Sequence, residues 1–137
     1  MKPIYHGTVQ QGLQIIRPFK RFTPGGSELA DQIPCRIYAT YNPAYAVAHS
    51  FPWSSDDGVD IKVAGDNICV VVPHEKAAVL EQPVCLYTLP DDTFIYTTEE
   101  ETGLTYHSES EIIAISCQCF VSVTKAMVFF GGKIEFI

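Results

Sequence analysis

Three short segments hold residue types that can do chemistry. The first is Tyr5-His6-Gly7-Thr8. A histidine at the end of a strand presents an imidazole that can hydrogen-bond a ligand hydroxyl. The glycine after it lets a flat ligand reach the backbone N–H and C=O. The second is Ile37-Tyr38-Ala39-Thr40, followed by Asn42-Pro43-Ala44-Tyr45-Ala46. An aromatic strand residue beside a small one, leading into a capped Ala-rich helix, can wall a planar ligand. The third runs from Tyr106 to Ile115 and carries Glu109 and Glu111 into an apolar stretch. A half-buried carboxylate there needs a partner. Each segment also has a plainer reading: a His-Gly turn, a tyrosine packed in a sheet, and a carboxylate left in water at a strand mouth.

The elements that must position these residues can be read from local pattern. Ile4 to Thr8 and Arg36 to Thr40 read as strands. Leu13 and Ile16 are spaced for one face of a short helix over Gln10 to Ile16, ended by Pro18. Arg17 to Gln32, with Pro24-Gly25-Gly26, reads as a loop. Asn42 is a helix N-cap and Pro43 a first helical residue, so Ala44 to Phe51 is helical up to Pro52. Trp53 to Gly65 reads as a loop or weak hairpin. Beyond it the sequence is strand-rich: Ile68 to Val72, Val84 to Leu89, Thr93 to Tyr96, Glu111 to Ser116, Val121 to Phe130 and Lys133 to Ile137. Gly131-Gly132 reads as a hairpin turn between the last two, and His74 to Leu80 as a helical turn or two. Helices early and strands late predict one α+β domain over residues 1–137, with a mainly antiparallel sheet and its short helices in the N-terminal half.

Composition narrows the function classes. The 137 residues are 47% hydrophobic and 18% charged, which is globular. No run is long enough for a membrane helix and no leader-like N-terminus is present, so no membrane partner is expected and the cytoplasm is the default. The net charge of −7 disfavours nucleic acid. The basic cluster Arg17, Lys20 and Arg21 and the acidic stretch Glu99-Glu100-Glu101 read as solvated loops. The cysteines Cys35, Cys69, Cys85, Cys117 and Cys119 are odd in number and irregular in spacing, so disulfides are not expected. Cys117-x-Cys119 puts two thiols on one strand face, but a metal site would need two more ligands, and no metal is expected.

The order of the three segments resembles the ADP-ribosyltransferase superfamily, in its histidine–tyrosine–glutamate branch that includes poly(ADP-ribose) polymerases and diphtheria-type toxins. In that branch a His-Gly-Ser/Thr strand is followed by Gly-Leu-x-Ile, then by a Gly-Ile-Tyr-Phe-Ala-like strand and a helix, and late in the sequence by a Glu that opens an apolar strand. This sequence has His6-Gly7-Thr8, Gly12-Leu13-Gln14-Ile15, Ile37-Tyr38-Ala39-Thr40 and Glu111-Ile112-Ile113. The match covers residues 4–50 and 108–130, and the set is specific through its order.

The resemblance implies a split-sheet fold, NAD as substrate, no metal, and transfer of ADP-ribose with release of nicotinamide to an acceptor that the protein's acidity makes protein sooner than nucleic acid. His6 would contact the adenosine-side ribose, the backbone of Gly7 the nicotinamide carboxamide, and Tyr38 the nicotinamide ring. Glu111 would bind the ribose attached to nicotinamide. Thr8, Thr40 and Tyr45 would complete the pocket, Tyr45 as a second stacking aromatic. Cleavage of the glycosidic bond develops oxocarbenium character, which a fixed carboxylate stabilises.

The sequence departs from the family in places. Ala46 stands near the position of a small hydroxyl residue that grips the carboxamide, with Thr40 earlier and Ser50 later, and Glu109-x-Glu111 resembles the arginine-modifying branch. Two alternatives share the fold: a catalytically inactive nucleotide-binding or protein-interaction module, and an RNA 2′-phosphotransferase, which would want a basic groove.

Overall fold

The computed structural model describes residues 2–19, 35–53, 55–100 and 102–137. The Arg17 to Gln32 loop and its Pro24-Gly25-Gly26 turn therefore fall mostly outside the described residues, as do Lys20, Arg21 and Glu101.

The protein forms β1 (Pro3–Thr8), β2 (Ile15–Ile16), β3 (Ile37–Ala39), α1 (Pro43–Ala48), β4 (Asp60–Ala64), β5 (Asn67–Val72), β6 (Val84–Pro90), β7 (Ile95–Tyr96), β8 (Tyr106–Ser108), β9 (Ile112–Ile113), β10 (Ser116–Phe120), α2 (Val123–Phe129) and β11 (Lys133–Phe136). It is a small, mostly-strand α+β fold. Among the described residues the strands make four small sheets: β1-β6-β10, β11-β5-β4, β2-β9 and β3-β8-β7. All pairings are antiparallel except β11 with β5.

β6 is the spine. Its run Val-Cys-Leu-Tyr-Thr-Leu is apolar almost throughout because both of its faces are covered. Val84 and Leu86 enter a core with α1, α2 and β5. Cys85, Tyr87 and Leu89 enter a second core with Ile4, Ile16, Ile37 and Ile112. The alternation continues into β1, where Ile4 and His6 stand on the second face and Tyr5 and Gly7 on the first.

α1 forms as its sequence dictates. The Asn42 side chain accepts the Tyr45 N–H at 3.2 Å, and Pro43 occupies the first turn, where its missing N–H costs nothing. All five residues after the proline are buried.

Four expectations are corrected. Gln10 to Ile16 is not a helix. Gly12 takes φ +72°, and Ile15–Ile16 pairs with Ile112–Ile113. The left-handed Gly12 breaks any helical run there, and pairing with Ile112–Ile113 buries Ile16 and Ile112 in the second core. Val121 to Phe130 is not a strand. Ser122 caps the Lys125 N–H at 3.1 Å, and Val123, Ala126 and Met127 bury one helical face of α2, which places a helix in the C-terminal half.

Gly131-Gly132 is no hairpin. Gly131, at φ +77°, donates to Val128 O at 3.1 Å and Gly132 to Met127 O at 2.8 Å, the paired bonds of a glycine helix stop. β11 then runs parallel beside β5. Finally, Cys85 and Cys119 form a disulfide. They stand directly opposite each other in the β6–β10 register, a proximity that spacing along the sequence does not reveal. The compartment expectation loses the support it drew from unpaired thiols. No helix among the described residues is long and apolar enough to cross a membrane.

Candidate functional site

β1 and β3 meet and then part. Tyr5 N–H donates to Thr40 O at 2.8 Å, and Thr40 N–H returns a bond to Tyr5 O at 3.0 Å. A continued antiparallel ladder would next pair Gly7 with Tyr38. No such pairing occurs, and Tyr5–Thr40 stands as an isolated bridge. β3 instead pairs on its other edge with β8, Tyr38 opposite His107.

The strand geometry fixes where Gly7 points. Tyr5 exchanges both backbone bonds with Thr40, so its polar groups face away from β6, and residues two apart in a strand share that direction. The N–H and C=O of Gly7 therefore face the gap that opens between β1 and β3. The α-carbon of Gly7 is pressed against α1 at the same time. A Cβ at Gly7 would collide with the carbonyl of Ala46 and lie 2.8 Å from the Cβ of Ser50. Glycine is required by this close approach.

His6 spans the gap. Its Nδ1 lies 2.7 Å from the Tyr38 carbonyl oxygen. A carbonyl only accepts, so Nδ1 carries the proton and Nε2 presents a lone pair. Only 8% of the residue is exposed. Burial holds its pKa below the ordinary value, outweighing the bond to Tyr38, which acts the other way. The imidazole is thus neutral, with a ring contact to Phe19 at 6.2 Å. Phe19 pairs with Arg36 through two backbone bonds.

Sequence reasoning missed the groups behind Tyr38. The rings of Tyr38 and His107 lie 6.4 Å apart, and His107 Nδ1 is 2.7 Å from Thr97 Oγ1. Burial, then the nearby Arg36 charge, lowers the His107 pKa, while Glu99 and Glu109 act in the opposite sense. Arg36 bonds Glu99 at 3.0 Å, and Glu99 above all, with the Tyr38 hydroxyl adding to it, raises the Arg36 pKa. Arg36 Nε is buried with no hydrogen-bond partner. Glu99 stands in an exposed turn, as expected of this acidic stretch, and its ion pair joins it to a residue 63 positions away in sequence. His107 and its neighbour Ser108 are both buried, so no alternation along this short strand marked His107 in advance.

The remaining expected residues are dispersed. Thr8 closes β1, its Oγ1 accepting the Gln10 N–H at 3.2 Å. Thr40 Oγ1 accepts the Asn42 N–H at 3.1 Å. Tyr45 is buried in α1, with its hydroxyl 3.1 Å from Thr102 Oγ1 and its ring edge-on to His49. Ser50 is the hydroxyl residue beside Gly7. It is buried, and its Oγ donates to Val47 O at 2.6 Å. Ala46 contributes its carbonyl there and no side-chain hydroxyl.

Glu111 is bound at the surface to Arg17, at 3.2 Å, with side chains 62% and 68% exposed. Arg17 is two residues from the Phe19 that touches His6, so Glu111 neighbours the site through that segment and not by direct contact. Glu109 is exposed and close enough to act on His107 electrostatically.

A surface cavity of about 470 Å³ opens elsewhere, at the start of α1, lined by Thr40, Asn42, Asp66, Tyr106 and Phe130 among others. It includes neither His6, Gly7 nor Tyr38. The polar groups of His6, Gly7 and Tyr38 meet at the β1–β3 gap, so we place the candidate site there and not in this hollow. No protein-family model, curated protein or solved structure matches this protein.

Proposed function

We propose that the protein is an NAD-dependent ADP-ribosyltransferase whose ligand lies in the gap between β1 and β3. The observation that carries this reading is the parting of the two strands just past Tyr5 and Thr40, with His6 fastened across the gap to Tyr38. A carboxamide offers one donor pair and one acceptor, the complement of a free backbone carbonyl and N–H. Gly7 turns both toward the gap. The neutral Nε2 of His6 accepts from a ribose hydroxyl. Ser50 brings a buried hydroxyl beside Gly7, from a later sequence position than the family spacing gives, and would be the group on the carboxamide.

The reaction requires a carboxylate near the ribose as the glycosidic bond to nicotinamide breaks and positive charge develops. The family resemblance gives this role to Glu111. Its ion pair with Arg17 is a surface contact of less than about 1 kcal/mol, so its release to a ligand is inexpensive.

One observation favours a second reading. Glu111 is exposed and already paired, as expected of a domain that keeps a nucleotide pocket without turnover. The test is release of nicotinamide from NAD by the wild type and by Glu111→Gln, alongside NAD binding by calorimetry. Release that disappears in the variant while NAD still binds supports the transferase. Binding without any release in the wild type supports the non-catalytic module. Absence of binding at millimolar NAD ends both nucleotide readings and leaves a protein-interaction module.

A further inference from the structure

The second face of the β1-β6-β10 sheet carries a group of sulfurs that the proposed transfer reaction does not use. Cys85 on β6 stands opposite Cys119 on β10, and Cys117 lies two residues along β10 on the same face. The three Sγ atoms lie within 4.8 Å of one another, and Cys117 Sγ is 3.5 Å from Cys119 Sγ. Cys85 is buried, while Cys117 and Cys119 are exposed at the sheet edge. Alone, the Cys117-x-Cys119 pair is two ligands short of a structural zinc site. The fold supplies one more, Cys85.

We propose that the reduced protein binds a soft monovalent cation of the Cu(I) class through the thiolates of Cys85, Cys117 and Cys119. Three thiolates around one ion, with metal–sulfur bonds near 2.3 Å, stand about 4 Å apart at their sulfurs. The span within which these three sulfurs already fall matches that, and side-chain rotation of Cys85 and Cys119 supplies the rest once their bond is open. The donor count selects the ion. Thiolates prefer soft ions, and structural zinc takes four ligands. No histidine or carboxylate joins the three sulfurs among the described residues. Three soft donors at an accessible edge suit a three-coordinate ion.

The disulfide and the ion exclude one another. A dithiol reductant transfers two electrons to the Cys85–Cys119 bond, giving two thiols and the oxidised dithiol. The ion then displaces three thiol protons and takes three sulfur ligands.

The test titrates Cu(I), as its acetonitrile complex, into the reduced protein under anaerobic conditions against a chromophoric copper(I) chelator. One ion per protein molecule is expected, with thiolate-to-copper charge-transfer absorption. Cys117→Ser, at an exposed position, is expected to lose at least about 100-fold in affinity. The double variant Cys35→Ser/Cys69→Ser is expected to bind like the wild type, and the oxidised protein to bind none. Circular dichroism of the reduced protein checks that the sheet persists. The proposal is overturned by equal affinity in Cys117→Ser, by retention of copper in the oxidised protein, or by loss of the fold on reduction alone.

Discussion

The imidazole of His6 donates from Nδ1 to the backbone carbonyl of Tyr38 at 2.7 Å, across 32 residues of sequence. The bond sits where β1 and β3 cease to pair, so a side chain spans a gap the backbone leaves open. It fixes the tautomer, keeps Nε2 as an acceptor, and defines one wall of the candidate site.

Removing that side chain should separate binding from folding. His6→Ala is expected to abolish NAD binding in calorimetry. It should also cost about 1–3 kcal/mol of stability, because a buried hydrogen-bonded ring is lost. Wild-type affinity in a folded His6→Ala protein would place the ligand elsewhere.

Gly7 answers to packing as well as to ligand. Gly7→Ala forces a methyl group onto the Ala46 carbonyl, and overpacking of this kind costs about 1–3 kcal/mol. Urea unfolding should show a lowered midpoint with an unchanged slope. A midpoint equal to the wild type would mean that α1 moves away from β1 without cost.

The two carboxylates near the site can be told apart. Glu111→Gln should abolish nicotinamide release yet change stability by less than about 1 kcal/mol, as its partner Arg17 is solvated. Glu109→Gln should leave release intact. The reverse pattern would assign the ribose contact to Glu109, beside the His107 that pairs with Tyr38.

Acid should destabilise the fold through its buried histidines. Burial lowers the folded pKa of both His6 and His107 from 6.5. As pH falls through that value the unfolded state takes up protons that the folded state refuses. Stability present above 6.5 is therefore lost below it, until the folded pKa values are reached. Chemical unfolding at several pH values should show this slope, reduced in His6→Asn. A stability independent of pH between about 7.5 and 5.5 would contradict the burial of both rings.

Opening the Cys85–Cys119 disulfide should matter more than either thiol alone suggests. The bond closes a sequence separation of 34, for which the entropy of the unfolded state gives about 3–4 kcal/mol. Guanidinium unfolding with and without a reducing dithiol measures it. Coincident curves would mean that the bond does not form in solution.

Local pattern alone determined much of the frame. β1, β5, β6 and the capped start of α1 were legible because each is set by neighbours in sequence. Residues at period two, an apolar run, and Asn42 ahead of Pro43 act within a few positions. The order of His6-Gly7, Tyr38 and Glu111 was legible for the same reason.

Only the tertiary structure decided the rest. The run from Val123 to Phe129 carries local helix signals in Ser122 and the glycines at 131 and 132, but the burial of Val123, Ala126 and Met127 that outweighs the strand preference of Val and Phe exists only in the packed molecule. Cys85 met Cys119, Ser50 took the place beside Gly7, and Glu111 met Arg17, through contacts between residues 34, 43 and 94 positions apart. Such contacts depend on strand register and on the direction in which the polypeptide returns, and no short-range pattern encodes either.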